Sequence, residues 1–272
     1  MNPRASVLTP TYRRPECLPL LYRTFRAQTY PDKELLILDD GPEPVTDPPW
    51  REDPSVRYFH SPVRLTIGEK RNRLAAAATG EVLVHFDDDD YYAPGYIDAM
   101  VTRMGDGDLI TLGTWFVVDR ASGFLYYWDA GRVLPVHYRI DRDGVVPVPM
   151  DPKTNAQAWI HQNYWGYGFS YVYTKPAFEH VRFDATRNKG EDYDFVQRLM
   201  KEGRRAIAVP DESGLALHVL HRKNTASVFP NHLLPGFLLE RIFGPEVVEY
   251  LSALRCGELW TDSMAGTKLP PG

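Results

Sequence analysis

Four consecutive aspartates, Asp87, Asp88, Asp89 and Asp90, follow the apolar run Val82-Leu83-Val84-His85-Phe86 with no linker between. Carboxylates so close together repel and raise one another's pKa values. Keeping them ionised at the end of a buried segment calls for a cation. Hard divalent ions such as Mg²⁺ or Mn²⁺ take oxygen ligands and commonly share their coordination with phosphates. The bland alternative is a solvated acidic turn, and the position directly behind an apolar run favours the metal. A second acidic pair, Asp39 and Asp40, closes the apolar run at residues 34–38. Such a carboxylate can accept from a nucleobase N–H or a ribose hydroxyl. It can equally belong to an Asp-Gly turn, Asp40-Gly41, and the pair alone does not decide.

Three further groups carry polar chemistry. Gly68-Glu69-Lys70-Arg71-Asn72-Arg73 opens a helix with three cations. A helix start with basic side chains suits a pyrophosphate, through amide donors and charge, although a solvated helical face reads the same way. In Gly190-Glu191-Asp192-Tyr193-Asp194-Phe195, Asp192 precedes the apolar stripe Phe195, Val196, Leu199 and Met200 by helical spacing, so it shares the inward face. An inward acid at a helix start is either a cap or a working base, and the helix dipole favours its charged form. His218, His221, Asn224 and Thr225 follow a strand-like run. Imidazole is a common metal ligand, but a lone histidine is more often structural.

The elements that must position these residues alternate. Residues 5–9 form an apolar strand closed by Pro10, and residues 15–28 carry Leu18, Leu21, Tyr22 and Phe25 at helical spacing. Residues 34–38, 56–59 and 81–86 read as strands. Residues 68–79 read as a helix ended by Gly80 as a C-terminal cap. Strands alternating with helices imply a Rossmann-like, mainly parallel α/β sheet flanked by helices, whose ligands bind at the carboxyl ends of strands. Both acidic clusters fall there. Further on, residues 114–128 read as a hairpin across 119–123, residues 133–158 as irregular, 167–174 as a strand and 191–202 as a helix. Short strands are expected near 205–209 and 215–219, helices within 233–254, and a frayed tail at 261–272. The expected organisation is one continuous domain with three parts. Residues 1–113 hold the alternating elements and both acidic clusters, 114–230 the less regular part with Asp192, and 231–272 the C-terminal helices and tail.

With 272 residues and 43% hydrophobic content the chain can bury a substantial core. A net charge of −5 argues against a general nucleic-acid binder. No run approaches the length of a membrane span, although contact with a membrane surface stays open. The two cysteines, Cys17 and Cys256, have no metal-ligand spacing, so a disulfide framework is not expected and a reducing, cytoplasmic setting is. Oligomeric state is not legible.

Taken together these residues resemble family 2 of the glycosyltransferases with the A-type, nucleotide-diphospho-sugar transferase fold. Pro10-Thr11-Tyr12-Arg13-Arg14-Pro15 is similar to its first-strand motif. Ala27-Gln28-Thr29-Tyr30-Pro31 with Leu36-Ile37-Leu38-Asp39-Asp40-Gly41 resembles the next. Residues 68–72, Gly80-Glu81, Phe86-Asp87-Asp88-Asp89 and Gly190-Glu191-Asp192 continue the motifs in order. The resemblance spans residues 4–225. It implies that Pro10, Tyr12, Asp39 and Asp40 flank or bind the base, that Arg71 lies near the ribose or phosphates, and that Asp88 contacts ribose or metal. It implies Asp89, with Asp87 and His221, as ligands of Mn²⁺ or Mg²⁺, and Asp192 as general base. Pro42 departs from the serine usual after Asp-Asp-Gly, and residues 114–180 carry no transferable motif.

The implied activity is a metal-dependent, inverting transfer of a sugar from a nucleotide-diphospho-sugar donor to a saccharide or other hydroxyl acceptor. A retaining transferase of the same fold and a non-catalytic sugar- or nucleotide-binding module are the alternatives. A nucleotidyltransferase would want a Gly-rich phosphate loop near the first strand, and residues 10–15 contain no glycine.

Overall fold

A computed structural model describes residues 2–151, 153, 156–221, 224 and 226–254. The chain opens with β1 (Ala5–Thr11), α1 (Leu18–Ala27), β2 (Lys33–Asp39), β3 (Val56–His60), α2 (Ile67–Ala77) and β4 (Val82–His85). Next come β5 (Tyr91–Tyr92), α3 (Tyr96–Met104), β6 (Leu109–Leu112), β7 (Thr114–Asp119), β8 (Phe124–Asp129), β9 (Val136–Asp141) and β10 (Gly144–Pro149). The remainder holds α4 (Ala156–Trp165), β11 (Val172–Thr174), α5 (Lys175–His180), α6 (Glu191–Lys201), β12 (Ala206–Val209), β13 (Ala216–Leu220), β14 (His232–Leu234), α7 (Leu238–Phe243) and α8 (Glu246–Ala253).

Seven strands form the main sheet in the order β12-β6-β11-β4-β1-β2-β3. All pairings are parallel except those of β11, which runs antiparallel to β4 and β6. The expected mainly parallel α/β sheet is therefore present. Alternation along its strands feeds two cores. Val7, Leu35, Ile37 and Val84 pack with Leu18, Leu21 and Phe25 of α1 and Ile97 and Met100 of α3. Leu8, Leu36 and Leu83, on the other face, pack with Leu74 of α2, Phe178 of α5 and Phe195 and Leu199 of α6. The chain leaves β1 for β2 on one side and returns through α2 to β4 on the other. The carboxyl ends of β1 and β4 therefore flank a topological switch point, where ligands of open α/β sheets bind.

A second sheet, β14-β8-β7-β13-β5, draws all its strands but β5 from the chain after β6. The anticipated hairpin is β7–β8, with Gly123 at φ 73° in its turn. Val118, Leu125 and Val219 of this sheet bury against Val247 and Leu251 of α8. The two sheets interleave along the chain: β5 joins the second before β6 joins the first, and β11 and β12 return to the first.

Several local expectations are corrected. β1 continues through Pro10 to Thr11, because its pairing with β4 ends at Leu8 and the missing N–H is not needed there. α2 begins at an N-cap, Thr66, whose Oγ1 accepts from Glu69 N, and ends on Ala78 in an extended conformation. Gly80 is thus not its cap; a Cβ there would lie 2.6 Å from Ser6 Oγ. Residues 136–149, expected to be irregular, form the antiparallel ribbon β9–β10, with Pro147 and Pro149 on a strand that has one neighbour. Residues 168–170 form a 3₁₀ turn ahead of β11 rather than strand. β14 precedes the two C-terminal helices. Cys17 is fully buried and disulfide-bonded, against the reading of reduced cysteines. Cys256 and the tail at 261–272 lie outside the described residues. No described helix is long and apolar enough to cross a membrane.

Candidate active site

A cavity of about 960 Å³ opens at the switch point. The β1 terminus contributes Pro10, Tyr12 and Arg14, the β4 terminus Asp87, Asp88 and Asp89, α2 Arg71 and the α6 start Asp192. Beyond β1 the backbone bends sharply, with Arg13 in the left-handed region at φ 53°. A non-glycine residue held there is a local strain of the kind concentrated at functional sites.

The four aspartates meet four different environments. Asp90 turns away from the cavity: its carboxylate accepts Val219 N and faces His218 Nδ1, both at 2.8 Å, fastening the acidic turn to β13. Burial opposes charge on His218, but Asp90 outweighs it and pushes the imidazole up to about 8. Asp88 accepts from Thr11 Oγ1 and, at 2.9 Å, from Arg14 Nη1. Burial and the neighbouring Asp89 still push it up to about 6. Asp89 accepts from the same Arg14 nitrogen and faces His221 Nε2 at 2.8 Å. Burial works against its charge, yet Arg14 and His221 hold it well below the usual carboxylate range. Among the described residues, Asp87's carboxylate has no hydrogen-bond donor. Burial, then Asp90, pushes it up to about 7 even though Arg71 counteracts them.

Facing this turn, Arg71 is nearly buried, its Nε 3.4 Å from Glu191 Oε1 and its Nη1 against His85 Nδ1. His85 is buried beneath the site, with Nδ1 2.8 Å from the Gly168 carbonyl. Burial, then Arg71, holds that imidazole well below its ordinary value, so it is neutral. Gly168 in turn donates its N–H to Asp192 Oδ2 at 2.9 Å, while Asp192 Oδ1 accepts from Tyr193 N at 2.7 Å. Asp192 is not the helix cap: the N-cap of α6 is Gly190, at φ 72°, without a side-chain bond. Burial, then Glu191, pushes Asp192 up to about 6.

At the other end, Asp40 is closed in completely. It accepts from Lys70 Nζ at 2.9 Å, Leu65 N at 2.7 Å and Arg64 Nη1 at 2.7 Å to each oxygen. These partners outweigh burial and hold it below its ordinary value. Arg64 also stacks on Tyr12, its Cζ 3.4 Å from the ring centroid. Asp39 accepts from Gly41 N at 2.7 Å and from Tyr58 Oη at 2.9 Å, so the side chain that closes the turn at Gly41 is that of Asp39 rather than Asp40.

The structure thus brings Pro10, Tyr12, Arg71, Asp87, Asp88, Asp89 and Asp192 to one cavity. It leaves Asp39, Asp40 and His221 outside the cavity wall, Asp40 and His221 each one side chain behind it. Lys70 and Arg71 do not lie on a solvated helical face; of the three cations only Arg73 is exposed, paired with Glu69 at 2.7 Å. Arg14, Arg64 and Gly168 escaped the sequence reading. Arg14 sat inside the quoted first-strand motif, and its charge so near an acidic edge was the available signal. For Gly168 the signal is tertiary only. The far wall comes from residues 162–169 and 226–229, which carried no motif.

As a cation site the donor set is incomplete alone: among the described residues no three His, Cys, Asp or Glu side chains converge tightly enough to hold a metal ion. Asp87 and Asp89 on one rim, with Asp87's charge unbalanced, fit a hard cation that draws its other oxygens from a bound diphosphate.

The chain is similar to several known proteins. Glycosyltransferase GlyG of Streptococcus pneumoniae is 23% identical over 165 residues, covering 59% of this chain and 55% of the relative. The chain therefore spans about half of that protein's length. The putative colanic acid biosynthesis glycosyl transferase WcaA of Escherichia coli is 22% identical over 230 residues, covering 81% of this chain and 74% of the relative. Among solved structures, S. aureus TarS 1-349 in complex with UDP superposes with a TM-score of 0.55 at 16% identity, over 80% of this chain and 61% of that one. The mannosyltransferase PcManGT from Pyrobaculum calidifontis, in complex with GDP-Man and Mn²⁺, gives 0.52 at 18% identity, over 81% and 57%. These structural likenesses establish the A-type glycosyltransferase fold. The profile described as Glycosyl transferase family 2 matches residues 6–178, from the first strand past the acidic turn and on into α5; the chain belongs to that family.

Proposed function

We propose that the chain transfers a sugar from a nucleotide-diphospho-sugar to an acceptor hydroxyl, with inversion at the anomeric carbon. The observation that carries this is that Asp192, Asp87 and Asp89 line one cavity, with Arg71 close enough to Asp192 and Asp87 to act on the charge of both. A carboxylate with a raised pKa facing an acidic rim and a buried guanidinium is the separation of roles a single displacement needs.

In this reading Tyr12 and Asp40 serve the base and Arg71 the diphosphate, while Asp88 meets ribose or metal. Asp87 and Asp89 with the diphosphate oxygens would hold Mn²⁺ or Mg²⁺, which supplies charge stabilisation to the departing nucleoside diphosphate. His221, hydrogen-bonded to Asp89, is better placed to orient that carboxylate than to bind the ion directly. Asp192, held by the Gly168 and Tyr193 amides, removes the acceptor proton. It is held by two donors and remains free to take a third on its outer lone pairs. The wall at 162–169 and 226–229 is where the acceptor lies. The neighbours bound to UDP and GDP-Man make uridine and guanosine donors the first to try.

The test is transfer or hydrolysis of a panel of nucleotide-sugars, with the anomeric configuration of the product followed by NMR. An inverted product that depends on Asp192 supports the reading. A retained configuration overturns the single displacement. Tight binding with neither transfer nor hydrolysis of any donor points to a binding module.

A further inference from the structure

The contacts of Arg64 reproduce those expected of a nucleobase. Its guanidinium is planar, lies at van der Waals distance from the Tyr12 ring with Cζ 3.4 Å from the centroid, and donates to both oxygens of Asp40 at 2.7 Å. Nothing as thick as an aromatic ring fits between the two planes. Where the guanidinium sits, a base cannot stack on that face of Tyr12 or reach Asp40.

The rest of the site is built so that Arg64 can leave. Its side chain is half exposed, on the 61–66 loop between β3 and α2, whereas Lys70 is 1% exposed and donates to Asp40 at 2.9 Å and to Thr11 O at 3.0 Å. With Lys70 and the Leu65 amide in place, departure of Arg64 does not strand a buried carboxylate, the condition that makes breaking most buried ion pairs costly.

We propose that Arg64 is a specificity-determining plug of the base slot: in the free protein it stands where the base goes, and a nucleotide binds by displacing it. This rests on the assignment of Tyr12 and Asp40 to the base. Because the displaced group is a flat N–H donor, the group that replaces it must also present a ring N–H to Asp40, as uracil and guanine do.

Isothermal titration of UDP and GDP into the full chain tests this, with the wild type, Arg64→Ala, Tyr12→Ala and the double variant compared, and melting temperature recorded for each. Removing the plug should tighten Kd for UDP or GDP by about tenfold, the scale of a stacked cation combined with a charged hydrogen bond. Tyr12→Ala should cost more affinity in the Arg64→Ala background than in the wild type, since only there is the ring free beforehand. Unchanged or weaker binding in Arg64→Ala, with Tyr12→Ala still harmful, overturns the plug and leaves the base site standing. If Tyr12→Ala has no effect in either background, the base-site assignment itself fails and the plug falls with it.

Discussion

The carboxylate of Asp192 and the backbone amide of Gly168 are joined by a 2.9 Å hydrogen bond that ties the start of α6 to the 3₁₀ turn before β11. Through that bond, a residue on one helix is held in the same cavity as an acidic turn carried by a different strand. A side chain at 168 has no room: a Cβ there would lie 2.6 Å from Arg71 Nη1 and 2.9 Å from Asp192 Cβ.

Gly168→Ala should therefore displace Arg71 and Asp192 together. We expect turnover to drop at least tenfold with a modest fall in melting temperature, because the clash is with two site side chains rather than with core backbone. Steady-state kinetics beside a thermal melt checks this, and wild-type turnover in the variant would show that the close packing has no part in catalysis.

Asp192→Asn keeps size while removing the ability to take a proton. Turnover should fall by ~10²-fold or more, the typical share of general base catalysis. Donor affinity should be unchanged. Asn keeps an oxygen to accept from the Tyr193 amide, so loss of that first-turn bond does not account for such a fall.

The pH dependence has a definite sign. Burial, then Glu191, raises Asp192 in the folded state to about 6, so kcat/KM should rise with pH through that value as the base ionises. For a carboxylate whose folded pKa is raised, the stability contribution is fully present below the unfolded value of about 4 and is lost as pH rises through about 6. Denaturation of wild type and Asp192→Asn at pH 4 and pH 8 should accordingly show the variant gaining relative stability at pH 8.

Metal dependence is what the proposed cation site at Asp87 and Asp89 predicts. EDTA should abolish turnover, and Mn²⁺ or Mg²⁺ should restore it. Asp89→Ala should remain folded, yet lose metal-dependent binding of a nucleoside diphosphate. Full activity in excess EDTA would remove the cation from the scheme.

Lys70→Met leaves Asp40 buried with only a half-exposed arginine as counter-charge. Breaking a buried pair by removing one partner costs about 3–5 kcal/mol, so a clear drop in urea midpoint is expected at neutral pH. A variant as stable as wild type would mean that Arg64 and the Leu65 amide suffice for Asp40.

The sequence by itself determined the sheet, because a continuous apolar run such as Leu35-Leu36-Ile37-Leu38 and an amphipathic helix such as α6 are local signals. It also singled out the acids of residues 87–90 and Asp192 as candidates for chemistry, the first by their position directly behind an apolar strand and Asp192 by sharing the inward face of its helix. What each acid does was decided only by tertiary structure. Asp90 fastens β13, Asp88 and Asp89 share Arg14, and Asp87 alone lacks a donor among the described residues, although the four are indistinguishable in sequence. Asp39 and Asp40 divided in the same way, one into a turn and one beneath Lys70 and Arg64. The β9–β10 ribbon was hidden because its prolines read as loop until the pairing partner is known. Periodicity records which face of an element is buried. It carries no record of which distant residue meets a given carboxylate, and that partner, by supplying or withholding a hydrogen bond and a charge, sets the carboxylate's role.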